Sequence, residues 1–329
     1  MSKFVRSTYN FVRGMKTLRK FFPVQCVQIE ITTYCNLKCR GCYHNINDYP
    51  GKNKHMPVED FKTYIDQIPR ADDLKIYGVG EPTLHPDIVE IVEYAKKSGR
   101  FNSIVISTNC LACEPSLFEE LFKKGLTRII ISIDSMIQEE ADELRCGTDI
   151  EKLTENIKYL FKNHQNQIGF ATVVSKVNLP TIEKTVRILD GLGAKKISII
   201  VFSNMGDLEH LMLSPDEKTD LLRRMKKIKT KNADVIAGRY LTPQDKPCNI
   251  ILTKAVISIN GYLVPCCTDI NEDTYSVGSL KEKSFTDLFF SNRYYSIQKN
   301  ISRGKYPSIC KGCYGNHTEY NSSKWYSKK

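Results

Sequence analysis

Val27-Gln28-Ile29-Glu30-Ile31-Thr32-Thr33-Tyr34-Cys35-Asn36-Leu37-Lys38-Cys39-Arg40-Gly41-Cys42-Tyr43-His44 begins as an apolar strand and ends as a short loop bearing three thiols. Four-iron clusters normally take four cysteines. Three on one loop therefore hold three irons and leave the fourth open to a small molecule, the logic of an open catalytic metal site. The same residues taken alone also admit zinc, or plain packing, because cysteine is among the most buried residue types.

Outward from this loop, short apolar runs alternate with amphipathic stretches, the pattern of repeated βα units around a parallel sheet. Strands are expected at Val27 to Ile31, Leu74 to Val79, Ser103 to Thr108, Arg128 to Asp134, Ile168 to Val174 and Lys196 to Phe202. Their Ile/Val content suggests strands covered on both faces. Between them, Val58-Phe61-Ile65-Ile68, Ile88-Ile91-Val92-Ala95, Leu117-Leu121, Leu153-Ile157-Leu160 and Ile182-Val186-Leu189 have helical spacing. Right-handed crossovers put these helices outside the sheet. Six such units make a partial (β/α)6, TIM-like barrel rather than a closed one. In βα barrels chemistry sits at the C-terminal strand ends, which is where the thiol loop follows the first strand.

The second strand runs into Gly78-Val79-Gly80-Glu81-Pro82. A dinucleotide-binding Gly-x-Gly-x-x-Gly is excluded, since the third glycine is missing and a proline follows. Glycines let backbone approach a ligand, and a carboxylate beside them can receive an ammonium group. With the Cys-x3-Cys-x2-Cys loop, this stretch resembles the radical S-adenosylmethionine (SAM) enzymes and their Gly-Gly-Glu-Pro motif. The resemblance implies the (β/α)6 fold and a 4Fe-4S cluster on Cys35, Cys39 and Cys42 whose open iron chelates SAM. It further implies that Glu81, flanked by Gly78, Gly80 and Pro82, meets the SAM amino group. Asn109, Ser132 and Asp134 would contact the ribose or methionyl part, and Arg145 the carboxylate. The residue before the third cysteine is often aromatic in that family; here it is Gly41, and Tyr43 just after is the candidate near adenine.

Beyond residue 240 the pattern becomes cysteine-bearing loops and a hairpin. Ala255 to Ile259 and Tyr262 to Val264 flank Asn260-Gly261, a pair suited to a type I′ turn. Cys248, Cys266, Cys310 and Cys313 complete one four-thiol site, which zinc would also fit. Their order resembles the auxiliary-cluster domain of SPASM-type radical SAM enzymes. No cysteine follows Cys313, so the shorter twitch form, a truncated SPASM domain with one auxiliary 4Fe-4S cluster, is the better match. The expected organisation is 1–24 basic segment, 25–235 barrel and 236–329 auxiliary-cluster domain. Cys110 and Cys113 form a further Cys-x2-Cys pair without a second ligand pair nearby, and are read as structural.

A chain of 329 residues, 41% of them hydrophobic, can bury a sizeable core. Its 12 cysteines fall in metal-like spacings with no secretory segment ahead of them, which points to a reducing, cytoplasmic compartment. No apolar stretch is long enough to span a bilayer. Net charge is +11, and Lys3, Arg6, Arg13, Lys16, Arg19 and Lys20 precede residue 22 without an acid. A basic amphipathic helix there would pack over one end of the core or touch an anionic membrane surface. The run Arg223 to Lys229 reads as a solvated helix face. No signature of a DNA- or RNA-binding module is present.

By the resemblance, the reduced cluster cleaves SAM to a 5′-deoxyadenosyl radical that takes hydrogen from a substrate. The outcome is oxidation or epimerisation, so the chain is expected to be a radical SAM oxidoreductase or epimerase. In the second case a thiol returns hydrogen, and Cys267 and Cys146 are the candidate donors. The segment ahead of the barrel is short for a leader-peptide recognition domain. By resemblance to single-auxiliary-cluster relatives, which include enzymes acting on aminocyclitols and aminoglycosides, a polar metabolite, sugar- or aminocyclitol-like or phosphorylated, is the first choice of substrate. A ribosomally made peptide comes second. A flavodoxin or ferredoxin would donate electrons. From another class, a non-catalytic two-cluster electron carrier would not need the Gly-Glu-Pro stretch.

Overall fold

The computed structural model describes residues 24–45, 53–203, 208–237, 250–266, 272, 276–303 and 305. The basic segment expected to form an N-terminal helix, and Cys248, Cys267, Cys310 and Cys313, lie outside these residues. In chain order the strands are β1 (Val24–Ile29), β2 (Lys38–Cys39), β3 (Ala71–Ile76), β4 (Phe101–Thr108), β5 (Arg128–Ser132), β6 (Arg145–Cys146), β7 (Ile168–Val174), β8 (Lys196–Val201), β9 (Asp234–Ile236), β10 (Lys254–Ile257), β11 (Tyr262–Val264) and β12 (Gly278–Ser279). The helices are α1 (Val58–Gln67), α2 (Ile88–Lys97), α3 (Ser116–Lys124), α4 (Gln138–Leu144), α5 (Ile150–His164), α6 (Ile182–Leu192), α7 (Pro215–Lys227), α8 (Ile250–Thr253), α9 (Phe285–Phe289) and α10 (Asn292–Ser302).

One sheet runs β12-β11-β10-β1-β3-β4-β5-β7-β8-β9, and every pairing from β10 to β9 is parallel. The six expected strands are its centre, in the expected order. β1 and β3 begin three residues earlier than their apolar runs, taking in Val24 to Cys26 and Ala71 to Asp73. They tolerate polar residues because only one sheet face is packed. Along β7 every second residue, Ile168, Phe170, Thr172 and Val174, is buried beneath the helices, and the alternate Gly169, Ala171 and Val173 are only half-buried. Coverage on both faces, inferred from Ile/Val content, is therefore corrected. Helices cover one face, and the other looks into an open bore.

The helices bury the stripes their spacing foretells: Ile88, Ile91, Val92 and Ala95 on α2, Leu153, Ile157 and Leu160 on α5, and Ile182, Val186 and Leu189 on α6. On α3 it is Phe118 and Leu121 that are buried, with Leu117 at the edge. The basic run near residue 225 is the end of α7, started by a Ser214/Glu217 capping box and seated on Leu221 and Met225; Arg223, Lys226 and Lys227 face outward, while Arg224 turns in to pair with Glu183 on α6. Each fully buried Ile, Leu or Phe contributes about 1.5–3 kcal/mol.

The C-terminal hairpin joins the barrel sheet, because β10 lies parallel beside β1 with Cys26 opposite Lys254 and Gln28 opposite Val256. Its turn differs from the expected type I′, which needs positive φ at both central residues. Only Gly261 has positive φ, +82°, and the Gly261 N–H donates to the Ser258 carbonyl at 2.9 Å. The strands are thus joined by a longer loop that ends on a left-handed glycine. No helix among the described residues is long and apolar enough to cross a membrane.

At the far edge, Asp190 at the end of α6 fixes the approach to β9. Its carboxylate accepts the N–H groups of Lys231 (2.9 Å), Asn232 (2.8 Å) and Ala233 (2.8 Å). Its burial, which opposes ionisation, is outweighed by these donors, so the carboxyl is held below the usual aspartate range. Such a group contributes stability above its unfolded pKa of about 3.9 that is lost as pH falls through the lower folded value. Asp190→Ala should cost about 1.5–3 kcal/mol at pH 7. In urea titrations the gap between variant and wild type should narrow below about pH 3.9; a pH-independent gap would refute the assignment.

Candidate active site

The thiol loop is built by hydrogen bonds before any ligand is considered. Thr33 N–H donates to the Lys54 carbonyl (2.9 Å), Lys54 N–H to Thr33 Oγ1 (2.9 Å), and Met56 N–H to the Ile31 carbonyl (2.8 Å). On its far side β2 pairs with β6, placing Cys39 opposite Arg145 and Lys38 opposite Cys146, and Arg40 N–H reaches the Leu144 carbonyl at 2.8 Å. That two-residue ladder brings Arg145 to the thiols. It carries no periodicity that sequence reading could detect.

Gly80 and Gly78 seat the second-strand loop against the first. A Cβ on Gly80 would strike the Thr32 carbonyl oxygen and come within 2.7 Å of that of Tyr34, and a Cβ on Gly78 would meet the Glu30 side chain. The close approach these glycines permit is thus first of all to protein. Glu30, which sequence reading passed over, is buried at the end of β1 and accepts from the N–H of Val79 (2.7 Å) and of Ile259 (3.3 Å). Gly41, between the second and third thiols, has φ +75°, and a Cβ there would come within 2.8 Å of the Phe202 ring. An aromatic that directly follows β8 thus packs against the thiol loop at Gly41. Tyr43 lies on the other side, against Val256 and Val264.

Cys35, Cys39 and Cys42 line one cavity of about 760 Å³ together with Tyr43, Gly78, Gly80, Glu81, Asn109, Ser132, Asp134 and Arg145. Of the expected SAM contacts only Pro82 is absent from this wall; it opens the short 3-10 helix Pro82–Leu84 behind it. Glu81, 3% exposed, is a hub rather than a free acceptor. It takes Thr83 N–H (3.2 Å), Thr83 Oγ1 (2.8 Å), Thr108 Oγ1 (2.7 Å) and Asn109 N–H (2.7 Å). Burial raises its pKa against the pull of those donors. Asn109 is engaged as well, giving Nδ2–H to Asn36 Oδ1 (2.8 Å) and accepting Leu111 N–H (2.9 Å). Ser132 Oγ meets Ser107 Oγ at 3.2 Å. Asp134 accepts Val173 N–H (3.0 Å) and lies 3.5 Å from the Arg145 guanidinium.

Burial pushes all three thiols up, Cys39 to about 11. Arg145, half-buried beside them, opposes this on each thiol and is held cationic by Asp134 against the pull of its own desolvation. Among the described residues no three Cys, His, Asp or Glu side chains converge as for a single ion. Thiols of this kind become thiolates when a metal group displaces their protons. A donor set of three neutral thiols and one cation around one opening fits an iron–sulfur cluster with an anionic ligand.

The remaining thiols divide clearly. Cys146, one of the two candidate hydrogen donors, is exposed and is not among the residues that line the cavity, whereas its neighbour Arg145 is. Cys26 lines the cavity. Cys110, with φ +62°, and Cys113 remain free thiols whose pKa burial raises, in keeping with a structural role. Cys266 closes the hairpin.

A parallel partial barrel with three thiols and a cation at the mouth of its bore defines a class of metal-cluster enzyme. The model described as the radical SAM superfamily matches residues 29–189, and that of the SPASM iron–sulfur cluster-binding domain matches residues 248–314. An uncharacterised protein of Methanocaldococcus jannaschii is 30% identical over 228 residues, 67% of this chain and 76% of that one. The tungsten-containing aldehyde ferredoxin oxidoreductase cofactor-modifying protein of Pyrococcus furiosus is 26% identical over 318 residues, 87% of this chain and 86% of that one. The crystal structure of Streptococcus suis SuiB bound to precursor peptide SuiA superposes with a TM-score of 0.68 at 17% identity, covering 92% of this chain and 72% of that one, a likeness of fold. The chain belongs to the radical SAM superfamily and carries a SPASM domain. It is accordingly an enzyme of radical chemistry whose cofactors are SAM and iron–sulfur clusters, and the electron-carrier reading falls away.

Gly80→Ala should displace the Thr32–Tyr34 backbone and lower iron content per chain after anaerobic reconstitution by at least one cluster. Gly191→Ala, where a Cβ meets nothing within 4 Å, should leave iron content unchanged. Equal iron in the two variants would show that the close approach at Gly80 does not shape the loop.

Proposed function

We propose that this enzyme removes hydrogen from a polar small metabolite held in the bore and yields an oxidised or epimerised product. The observation that carries the reading is the continuity of one cavity from Cys35, Cys39 and Cys42 down to inward polar side chains such as Gln28, Asp73 and Lys75. Cavities of roughly 300–1,000 Å³ suit small ligands. One of about 760 Å³ shared with SAM leaves room for a metabolite or a single residue of a peptide. The Pyrococcus relative, named as a cofactor-modifying protein, supports the first.

In this reading Cys35, Cys39 and Cys42 hold the SAM cluster, and Cys248, Cys266, Cys310 and Cys313 hold the auxiliary cluster. When bound and reduced, the cluster and SAM supply a 5′-deoxyadenosyl radical. Arg145, fixed by Asp134, would hold the SAM carboxylate, Ser132 and Asn109 would meet its ribose or methionyl part, and Tyr43 and Phe202 flank the loop. Glu81 serves as the post that fixes Thr83, Thr108 and Asn109. Bound SAM and substrate would displace water from the bore. Cys267 and Cys26 are the thiols to test for hydrogen return, and a ferredoxin or flavodoxin is the electron donor.

The experiment combines anaerobically reconstituted protein, SAM, a strong reductant and a small-molecule cell extract in D₂O, with mass spectrometry of the products. Isomeric product carrying deuterium indicates epimerisation; product lighter by two hydrogens, oxidation. A product found only when peptides are supplied would overturn the metabolite assignment. Cys35→Ala should abolish 5′-deoxyadenosine formation, and Cys310→Ala should spare it but reduce product at least tenfold. Persistence of 5′-deoxyadenosine in Cys35→Ala would refute the cluster assignment.

A further inference from the structure

The bore below the thiol loop holds charges that no part of the SAM site uses. Register fixes their layering. Gln28 on β1 lies opposite Lys75 on β3, and one layer nearer the N-terminal strand ends Cys26 lies between Asp73 and Lys254. Gln28, Asp73, Lys75, Tyr77 and Lys254 all line the cavity. Their polar groups are not equally committed. The Asp73 carboxylate, two residues from Lys75 along β3, is paired with Arg128 at 3.3 Å. Lys254 Nζ lies 3.4 Å from Tyr77 Oη and 5.6 Å from the centre of that ring. The carboxylate of Glu30, one layer above, is taken by the N–H groups of Val79 and Ile259.

Lys75 has no acidic partner and no hydrogen bond among the described residues. Beside it, the side-chain oxygen of Gln28 is fully buried without a donor, in a residue 1% exposed. Leaving such an acceptor unmet costs about 1–3 kcal/mol. An unpaired cation and an unmet acceptor on adjacent strands, facing the same cavity, describe the imprint of a missing molecule.

Resting on the reading of the bore as the substrate site, we propose that Lys75 binds an anionic group of the substrate, phosphate or carboxylate, while Gln28 Oε1 accepts from a neighbouring hydroxyl or amine. Lys254, steered by Tyr77, adds positive potential from the layer below. The pair selects metabolites carrying an anion close to a hydrogen-bond donor, such as sugar phosphates or sugar acids. Aminocyclitols, whose amines are protonated at neutral pH, are disfavoured. Lys75 is thus a specificity residue, and SAM cleavage does not depend on it.

The test is isothermal titration of the reconstituted, SAM-loaded full chain with three probes: ribose 5-phosphate, gluconate and ribose. At least one anionic probe should bind ten-fold or more tighter than ribose, and which one does distinguishes phosphate from carboxylate. Lys75→Met, which keeps the apolar stem, should weaken that probe about ten- to a hundred-fold, with Lys75→Arg retaining part of the affinity. Gln28→Leu should weaken it less. Lys97→Met, on the exposed end of α2, should change nothing. Substrate-free 5′-deoxyadenosine formation by Lys75→Met should stay within two-fold of wild type, which separates a failure here from a failure of the enzyme reading. Equal binding of ribose and both anionic probes, no binding by either anionic probe, or an unchanged preference in Lys75→Met would each overturn the proposal.

Discussion

The Glu30 carboxylate joins two loops that the chain order keeps far apart. From the end of β1 it accepts the N–H of Val79, in the loop after the second barrel strand, and the N–H of Ile259, in the turn of the C-terminal hairpin. A carboxylate taken from water is tolerated when donors replace its hydration, and here they come from both flanks of β1. The constraint spreads outward. Gly78 must lack a side chain to pass Glu30, Gly80 must lack one to pass the Thr32–Tyr34 backbone, and the thiol loop is held where those contacts leave it. Glu81 repeats the device one strand along, drawing Thr83, Thr108 and Asn109 together.

Barrel and hairpin are for this reason one sheet rather than two stacked units. β10 continues the parallel pairing from β1, and its inward Lys254 becomes part of the bore wall. The inner face stays open because β4, β5, β7 and β8 offer it small side chains, among them Ser107, Ser132, Gly169, Ala171 and Ser198, while β1 and β3 offer polar ones. Close packing of large apolar groups there would have filled the space that SAM and substrate need. The core lies instead between sheet and helices, where Phe118, Phe170 and their aliphatic neighbours are buried.

Much of this was legible in the chain. Alternating strand and helix periods located all six central strands and the principal barrel helices, and thiol spacing with Gly-x-Gly-Glu-Pro located the site. Three features were not, each for a physical reason. The starts of β1 and β3 carry Gln25, Asp72 and Asp73, residues that read as loop until it is known that one sheet face borders an aqueous bore. The position of Arg145 depends on a two-residue ladder too short to have a pattern. Commitment of the Glu81 carboxylate follows from donors on β4, which are non-local contacts that no motif records. Exposure of Cys146 has the same origin: where Arg145 faces the cavity, the next residue points away.

The meeting of Gly41 with Phe202 sets an order on maturation. Gly41 sits between the second and third thiols, and the ring that packs against it arrives only with the last of the six central strands. A chain emerging from the ribosome N-terminus first presents its three thiols long before the wall that shapes their loop exists. Until the sixth strand closes, those thiols are an unshaped chelator, so faithful metallation belongs after synthesis of the barrel rather than during it.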